Sequence, residues 1–375
     1  MSVKKVIYIV KSQLHIYPPC IAQIRMLKKS GVDVEVWYGS CSEPLIELLN
    51  TEGIQTIEIG ETRGKYPGKL DKVNNWISFG NAVKRHIKSL GDTSQIIFWF
   101  GTAETAIPLV GKLKGINYAL TSLELPDDDK FKRDMFARLT DDAKFIVCCE
   151  TTRAYIMRYW YHLKKLPYVM PNKPYDFDQK RRKDPSIEAS KKAIELIKDK
   201  KFIIYQGILK SREYMVAMAK AIRDSGSNYH FVLMGQDPEK IYPEVAKEYN
   251  KTLFIENIPA PFHLEVTSYA DIGFVFYDEN SSLNRAFCAP NKIYEYSGLG
   301  IPSIGNMVPG LVNTIGAAKA GICCPMTKEE LIKTLRLIKD NYEEYSHNAY
   351  AFYSATDNES LMNKIINENG IMPLN

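Results

Sequence analysis

The segment from Ala289 to Gly305 carries the clearest chemical pattern in the chain. Pro290 is placed to start a helix, Glu295 follows on the inner side of its first turns, and glycines end it before a short apolar strand. The free N–H groups and positive dipole end of such a helix attract an anion, phosphate above all. A carboxylate about one turn inside suits a pair of sugar hydroxyls better than a phosphate. The segment therefore predicts a site for a nucleotide or a nucleotide sugar.

Two further turns in the second half of the chain could offer backbone N–H groups to the same anion. One is at Gly207, after the apolar run 202–205, and the other is at Gly310, while the helix starting near Asn291 supplies the third. Three cations are close to these turns in sequence: Lys210, Arg212 and Lys292. Each alone is better explained as a solvated surface charge. Together, helix N-termini and two or three cations form a sufficient site for a diphosphate.

The usual phosphate and metal signatures are missing from the sequence. No GxxxxGK[ST] occurs, which argues against a P-loop NTPase, and no GxGxxG follows a strand, which argues against a common dinucleotide dehydrogenase. The glycines in 298–300 fit a helix C-cap rather than a phosphate loop. The six histidines have no HxxxH or CxxC partner, so we expect neither a metal nor a cofactor. The seven cysteines include two adjacent pairs without metal-ligand spacing, which favours buried, reduced thiols in a cytosolic protein.

Strand and helix patterns alternate along both halves of the chain. Strands are predicted near 4–10, 32–38, 55–59, 95–100, 144–149, 202–205, 230–234, 252–255, 272–277 and at Ile304. Helices are predicted near 19–30, 43–51, 74–90, 131–141, up to His162, 212–223, 290–297, 327–340 and 341–371, with a polar loop over 60–73. This alternation predicts an α/β protein made of two Rossmann-like doubly wound domains that face each other.

Length and composition agree with two folded domains. The chain has 375 residues, of which 45% are hydrophobic and 25% charged. The two prolines near Asn172 and the charged segment after them predict a boundary there, giving an N-terminal domain over 1–172 and a second over 173–345. A helical segment over 346–375 is expected to pack back toward the first domain. No apolar run reaches the ~20 residues of a spanning helix, and the N-terminus resembles a strand rather than a signal peptide, so we expect a cytoplasmic protein.

Positive charge and aromatic residues are concentrated between Arg158 and Lys183. The plainest interpretation is a solvated face followed by a charged linker. The alternative is a patch that touches an anionic membrane surface or a lipid phosphate, because aromatic rings settle at the interface while lysines meet head groups. Nucleic acid is a weaker option because no nucleic-acid-binding motif is present. We therefore expect no nucleic-acid partner and leave a peripheral contact with the inner membrane face open.

The residues from Pro290 to Ile304 resemble the donor-domain signature of the retaining glycosyltransferases of family 4, Pro-x-Lys-(Ile/Leu)-x-Glu-Tyr-x-x-x-Gly-x-Pro-x-Ile. The resemblance extends over most of the second half and back to Pro171-Asn172. The matching positions are Tyr205-Gln206-Gly207 with Arg212, Gly235 after the next strand, and Ala270-Asp271-Ile272-Gly273. The resemblance implies the GT-B fold, in which two Rossmann-like domains face an interdomain cleft, and a nucleotide diphosphate sugar as donor without a metal.

The resemblance also implies roles for individual residues. Glu295 matches the glutamate that binds the donor ribose, and Arg212, Lys292 and Lys210 match residues at the diphosphate. Backbone around Ile258 is expected to hold the base, and Gly207, Gly235, Asn291 and Gly310 complete the donor-binding set. Loops at the carboxyl ends of predicted strands in the first half provide acceptor-side candidates. These are His15, Gly101, Thr102 and Glu104.

Catalysis is less defined than donor binding. Many relatives carry a second glutamate eight positions before the ribose-binding one, and here that position is Phe287. Candidates that could take its place are Asn284, Arg285 and Glu124. In retaining enzymes of this fold the leaving phosphate is thought to take the acceptor proton, so no separate base is required. The resemblance implies transfer to a cell-surface polysaccharide or lipid-linked oligosaccharide. A sugar-nucleotide epimerase and a non-catalytic nucleotide-sugar-binding subunit are the alternatives.

Overall fold

The structure is a computed structural model that describes residues 3–60, 69–176, 178–278 and 280–374, with 69–73 described for their backbone alone. The chain divides into two compact units. The first combines Met1–Tyr175 with Asp357–Asn375, and the second is Asp176–Thr356. The chain therefore leaves the first unit once and returns to it near its C-terminus.

Strands and helices alternate along both units. The strands are β1 Lys5–Gln13, β2 Asp33–Ser40, β3 Gln55–Glu58, β4 Ile96–Phe100, β5 Tyr118–Ser122, β6 Ile146–Cys148, β7 Tyr168–Val169, β8 Phe202–Gln206, β9 His230–Gly235, β10 Thr252–Glu256, β11 Ile272–Val275, β12 Ser303–Gly305 and β13 Gly321–Cys323. The helices are α1 Pro18–Lys29, α2 Glu43–Thr51, α3 Lys69–Ser89, α4 Ala103–Ala106, α5 Lys130–Thr140, α6 Thr151–Trp160, α7 Glu188–Ile197, α8 Arg212–Asp224, α9 Tyr242–Glu248, α10 His263–Thr267, α11 Leu283–Ala286, α12 Asn291–Gly298, α13 Pro309–Leu311, α14 Lys328–Asp340, α15 Tyr342–Ala355 and α16 Asn358–Glu368.

Each unit is built on one parallel sheet. The described residues of the first unit form seven strands in the order β3-β2-β1-β4-β5-β6-β7, and those of the second form six in the order β10-β9-β8-β11-β12-β13. In both sheets the order reverses beside the unit's first strand, next to β4 in one and next to β11 in the other. This is the doubly wound arrangement that the alternation predicted, so the predicted fold class is confirmed. Ligands bind at such reversal points, outside the carboxyl ends of the strands.

Apolar strands are buried on both faces because helices cover both sides of each sheet. Trp37, Phe98 and Trp99 are almost fully buried in the first unit, as are Phe202, Phe231 and Phe274 in the second. All seven cysteines lie within the described residues and are free thiols, as predicted. Five are buried, while Cys41 and Cys323 are partly exposed, so the prediction of burial holds for most but not all of them.

Several predicted boundaries are wrong. The predicted helix over 341–371 is two helices, because Asp357 accepts a hydrogen bond from the Ser360 N–H and starts α16 anew. That break is where the chain returns to the first unit. Helix α3 already begins at Lys69, so the polar loop predicted over 60–73 is too long, and its part over 61–68 lies outside the described residues. The charged segment after Asn172 contains a further helix, α7.

Candidate functional site

Helix α12 is fixed within the second unit by close contacts of two of its tyrosines. A β-carbon on Gly273 of β11 would lie 2.2 Å from the Tyr296 ring, so the missing side chain lets this ring lie directly on the strand. The ring of Tyr294 stacks on Phe352 of α15 at 5.2 Å between centroids. The helix begins at Asn291, with Pro290 as its N-cap rather than its first residue. The first amides of an α-helix have no partner within the helix itself.

The C-terminal end of α12 is closed by the predicted glycine cap. Gly300 has φ +61°, and the Ile301 N–H donates to the carbonyl of Tyr296. This pairing is the Schellman type of helix end, in which glycine adopts the left-handed conformation at low cost. The interpretation of these glycines as a C-cap is therefore confirmed.

Glu295 is the most strongly held side chain of the predicted donor set. It is 2% exposed, and its Oε2 atom accepts a hydrogen bond from the Gln206 amide at the end of β8. Gln206 is held in turn by Thr267, whose hydroxyl donates to the amide oxygen over 2.7 Å. The Nε2 atom of His263 lies 3.2 Å from Oε1 of the same carboxylate. Burial of a carboxylate is tolerated only with such partners, so its orientation is fixed before any ligand arrives.

The carboxyl ends of β8 and β9 touch each other through glycines. Gly207 and Gly235 have φ values of +126° and +146°, which side-chain-bearing residues rarely adopt. A β-carbon on Gly235 would lie 1.9 Å from the Gly207 carbonyl oxygen, and the Gly207 N–H donates to the Met234 carbonyl over 2.8 Å. The two predicted glycines are thus brought together, backbone against backbone, at the carboxyl end of the sheet.

Lys292 brings a positive charge to the Gly207 loop. A β-carbon on Gly207 would be 3.2 Å from the Lys292 Nζ atom, and this ammonium lies 5.0 Å from the centroid of the Tyr205 ring and 5.9 Å from that of Tyr277. Both rings can stabilise the cation through their faces. Burial lowers the pKa of Lys292 to about 8, against the opposing effect of the Glu295 carboxylate. The helix start, the glycine loop and this cation therefore meet at one place.

Arg212 is the first residue of α8 and contacts groups in and just before α9. Its guanidinium is exposed and pairs with the Glu244 carboxylate of α9, and it also donates to the Glu239 carbonyl over 3.2 Å. Lys210 is exposed too, but it is close enough to Lys292 to lower the pKa of that lysine. The structure thus groups Lys210 with Lys292 and directs Arg212 toward α9.

The remaining candidates of the second unit have structural partners. Gly310 is buried against Cys288, whose carbonyl oxygen would be 2.4 Å from a β-carbon on the glycine. The side chain of Ile258 is part of the core beside Tyr296, which leaves only its backbone for a base. Arg285 lies 3.6 Å from Asp278, and Asn284 precedes it on the same short helix, α11. Phe287 ends that helix as its C-cap.

The candidates of the first unit lie at the carboxyl ends of β1, β4 and β5. Gly101 is required by packing, because a β-carbon would be 2.5 Å from the Tyr8 ring. Thr102 caps α4 by accepting from the Thr105 N–H, and Glu104 pairs with Lys132 at 2.8 Å. Glu124 is exposed after β5. The Nδ1 atom of His15 is buried without a hydrogen-bond partner among the described residues, and burial lowers the pKa of this histidine.

Sequence reasoning missed the partners of Glu295. His263 lies 32 positions before it, and Gln206 lies 89 positions before it. His263 has no local pattern that marks it, because α10 is too short to show a helical period. Gln206 was among the positions that match the family signature, but its hydrogen bond to Glu295 was not predicted.

Within the described ranges, no group of three or more histidine, cysteine or acidic side chains is arranged to hold a metal ion. Over the same part of the chain, no helix is both long enough and apolar enough to cross a membrane.

No family model matches this sequence, and a comparison with curated proteins finds no match. Solved structures do resemble it. HepE from Anabaena, solved with UDP and glucose, superposes with a TM-score of 0.70 at 12% identity, over 97% of this chain and 98% of that one. The chain has the GT-B fold.

Two further solved structures, named for different activities, also resemble this chain. WaaG, a glycosyltransferase involved in lipopolysaccharide biosynthesis, has a TM-score of 0.65 at 14% identity, covering 97% of this chain and 99% of that one. A Listeria monocytogenes protein assigned as a UDP-N-acetylglucosamine 2-epimerase has a TM-score of 0.62 at 15% identity, covering 98% and 95%. At such identities the likeness establishes the architecture alone, and that architecture serves more than one reaction.

Proposed function

We propose that this protein is a glycosyltransferase that binds a nucleotide diphosphate sugar at the N-terminal end of α12. The observation that supports this most is the fixed Glu295 carboxylate one turn inside the helix, behind a Lys292 ammonium that lies against the Gly207 loop. The helix start, the loop amides and Lys292 suit a diphosphate. Glu295 suits the two ribose hydroxyls, which would donate to its remaining lone pairs.

The same groups would assist bond breaking. As the sugar–phosphate bond lengthens, negative charge grows on the diphosphate, and cations and oriented amides around it lower the barrier. Transfer with retention of configuration, in which the leaving phosphate accepts the acceptor proton, requires no separate protein base. Lys210 and Arg212 are the further cations proposed at the diphosphate, and a metal is not needed in this scheme. Backbone amides and carbonyls around Ile258 would contact the base.

The proposed acceptor is a saccharide or lipid-linked oligosaccharide used to build a cell-surface polysaccharide. WaaG, which is named as a glycosyltransferase of lipopolysaccharide biosynthesis, has a similar fold and supports this acceptor by analogy. On this proposal the first unit, with Glu104 and its neighbours at the strand ends, binds the acceptor. Asn284, Arg285 and Glu124 stay as proposals for a group that contacts the transferred sugar in place of the missing second glutamate.

A peripheral contact with the inner membrane face is part of the proposal. On α6, Tyr155 is 57% exposed and Tyr159 is 79% exposed, one turn apart on one helix face, and Arg158 lies between them in sequence. Together with His162 and Leu163 these residues line one shallow surface depression. Tyrosines with neighbouring basic groups suit the head-group region of an anionic bilayer.

A donor-turnover assay separates the proposed function from its two alternatives. Purified protein is incubated with labelled nucleotide sugars, with and without a lipid-linked oligosaccharide extract. Label that enters the extract only when both are present supports a transferase. Isomerised donor formed without acceptor identifies an epimerase. Binding without turnover of any donor, for which Phe287 is the motivating residue, identifies a non-catalytic subunit.

A further inference from the structure

Arg181, in the charged segment before α7, binds main-chain carbonyls in two separate segments of the second unit. Its Nε atom donates to the Ser268 carbonyl over 2.9 Å, and its Nη2 atom donates to the Ala270 carbonyl. Its Nη1 atom donates to the Leu299 carbonyl over 3.3 Å. A guanidinium can make these contacts at once because its N–H donors point in fixed, different directions. The half-buried side chain therefore joins two stretches of main chain that are far apart in the sequence.

The two stretches end the two helices around the proposed ribose site. Ser268 is the C-cap of α10, and Leu299 is the C-cap of α12, about one turn after Glu295. The last carbonyls of a helix have no partner within the helix, and a cation at this end also suits the helix dipole. Arg181 therefore stabilises both helix ends and holds one against the other.

Helix α10 supplies both contacts that orient Glu295. His263, at the start of α10, places its Nε2 atom 3.2 Å from Oε1 of the carboxylate. Thr267, at the end of α10, donates to Gln206 over 2.7 Å, and Gln206 donates to Oε2 of the same carboxylate. Because Glu295 lies on α12 and both contacts depend on α10, a shift of one helix against the other would loosen them.

The main chain beside Arg181 adds further bonds to the end of α10. The Arg182 N–H donates to the Ser268 carbonyl over 3.1 Å, and the Lys183 N–H donates to the Ser268 hydroxyl over 2.9 Å. The Tyr269 hydroxyl donates to the Lys183 carbonyl over 3.1 Å. The backbone of this segment is thus fixed on α10, and the Arg181 side chain extends the connection to α12.

Arg182 provides a matched comparison for its neighbour. Its exposed guanidinium donates to the carbonyl of Lys198, the C-cap of α7, over 3.1 Å and lies 5.9 Å from the centroid of the Tyr269 ring. Replacing the Arg182 side chain therefore removes a guanidinium from the same segment without removing the bond from Arg181 to Leu299.

We propose that Arg181 is a positioning residue for donor binding, which joins α10 to α12 and so keeps the Glu295 carboxylate directed at the ribose. The ribose part of this inference rests on the proposed function. Lysine replaces arginine only in part, because one compact ammonium does not reproduce the planar fork of donors. The effect of Arg181 is confined to ligands that carry ribose hydroxyls, since these are the groups that Glu295 is proposed to bind.

Nucleotides with and without ribose hydroxyls isolate this contribution. Isothermal titration calorimetry on the full-length protein compares UDP, GDP and ADP with their 2′,3′-dideoxy forms. Wild type should bind its best nucleotide at least about tenfold more tightly than the dideoxy form, because hydroxyls that donate to a carboxylate are missing from the latter. In Arg181→Met the ratio should fall to about threefold or less, with binding of the dideoxy form unchanged. Arg181→Lys should give an intermediate ratio, and Arg182→Met should keep the wild-type ratio.

The contact between His263 and Glu295 can also be followed without a ligand. Protein labelled with [15N]histidine gives ring signals for the six histidines, and the spectrum of His263→Gln identifies those of His263. Arg181→Met is expected to shift the His263 Nε2 signal, whereas Arg182→Met is expected to leave it unchanged. Thermal unfolding curves check that each variant is folded, and Arg181→Lys carries both comparisons if Arg181→Met is not.

The two measurements separate this inference from the proposed function. Equal weakening of both nucleotide forms in Arg181→Met, or an unmoved His263 signal, would overturn the positioning role. A wild-type ratio near one would also overturn it, because Glu295 would then not bind the ribose. If the His263 signal moves in Arg181→Met while wild type binds none of the three nucleotides, the connection from Arg181 to Glu295 stands and the donor site is what fails.

Discussion

The Nε2 atom of His263 lies 3.2 Å from Oε1 of Glu295, while Gln206 donates to the other carboxylate oxygen. Both oxygens of a buried carboxylate are therefore held by side chains from two different elements. His263 acts here as a positioning residue, because it fixes the group that would meet the ribose. The Nδ1 atom of the same ring is buried with no hydrogen-bond partner among the described residues.

We predict that His263→Leu raises the KM for the donor by about threefold to tenfold while kcat changes little. The reason is that Glu295 would lose one of the two side-chain contacts that orient it toward the ribose. His263→Gln can still donate to the carboxylate and should recover part of the affinity. Steady-state kinetics with the best donor measures both constants. An unchanged KM in His263→Leu, or an equal loss in both variants, would contradict the positioning role.

Because Arg212 pairs with Glu244, the effect of losing the cation can be compared with the effect of losing its partner. We predict that Arg212→Ala lowers transfer by at least about tenfold, because a diphosphate cation is lost. Glu244→Gln removes the partner but leaves the guanidinium, so transfer should be retained. Initial rates and thermal unfolding curves are measured for both variants. If Arg212→Ala transfers like wild type, or if the two variants lose activity equally, Arg212 does not act at the diphosphate.

Lys292 gives donor binding a dependence on pH. Because burial lowers its pKa to about 8, the ammonium loses its proton as pH rises through that value, and an anionic diphosphate is then bound less tightly. We predict that the Kd for UDP-glucose is constant from about pH 6.5 to about pH 7.5 and rises up to tenfold between about pH 8 and about pH 9. Isothermal titration calorimetry measures this profile.

Lys292→Arg is the control for that profile. A guanidinium stays charged throughout the range, so the variant should show a flat dependence on pH whatever its absolute affinity. The same rise in Kd above pH ~8 in both proteins would assign the titration to another group. A flat profile in wild type would show that Lys292 does not contact the diphosphate.

Removing the exposed tyrosines of α6 is expected to weaken binding to anionic membranes selectively. Tyr155→Ala combined with Tyr159→Ala should reduce sedimentation with phosphatidylglycerol vesicles by about tenfold, because two interfacial side chains are removed. Phosphatidylcholine vesicles should bind wild type more weakly, since they lack the negative surface charge. Leu337→Ala, another exposed side chain, serves as the control for nonspecific effects. Equal sedimentation of wild type and the double variant would remove this patch from the proposal.

The regular elements were predictable because each is marked by its own pattern of hydrophobic residues in the sequence. The apolar runs that became β4, β8 and β9 and the helices α1, α8 and α14 were located to within a few residues. Short helices escaped prediction, since α9 and α10 have too few residues for a period to emerge. The missed helices carry partners of candidate site residues: Glu244 of α9 pairs with Arg212, and His263 of α10 contacts Glu295.

Residues that are close in sequence do not always point toward the same partner. Lys210 and Arg212 are two positions apart, yet one lies near Lys292 and the other pairs with Glu244 on α9. The contact between Gly207 and Gly235 also joins two strand ends that are far apart in the chain. Both strand ends were identified, but their contact depends on the register of neighbouring strands, which a sequence pattern does not specify.

Binding of nucleotide sugars to wild type and Glu295→Ala tests the central claim most directly. Thermal shift is measured against a panel of UDP, GDP, ADP, dTDP and CMP sugars, with Glu329→Ala, an exposed acidic residue on α14, as the control. At about 100 times its Kd, a true donor should stabilise wild type and the control by about 2.7 kcal/mol, and Glu295→Ala should lose most of that gain. No stabilisation by any member of the panel, or an equal gain in Glu295→Ala, would contradict a donor site at α12.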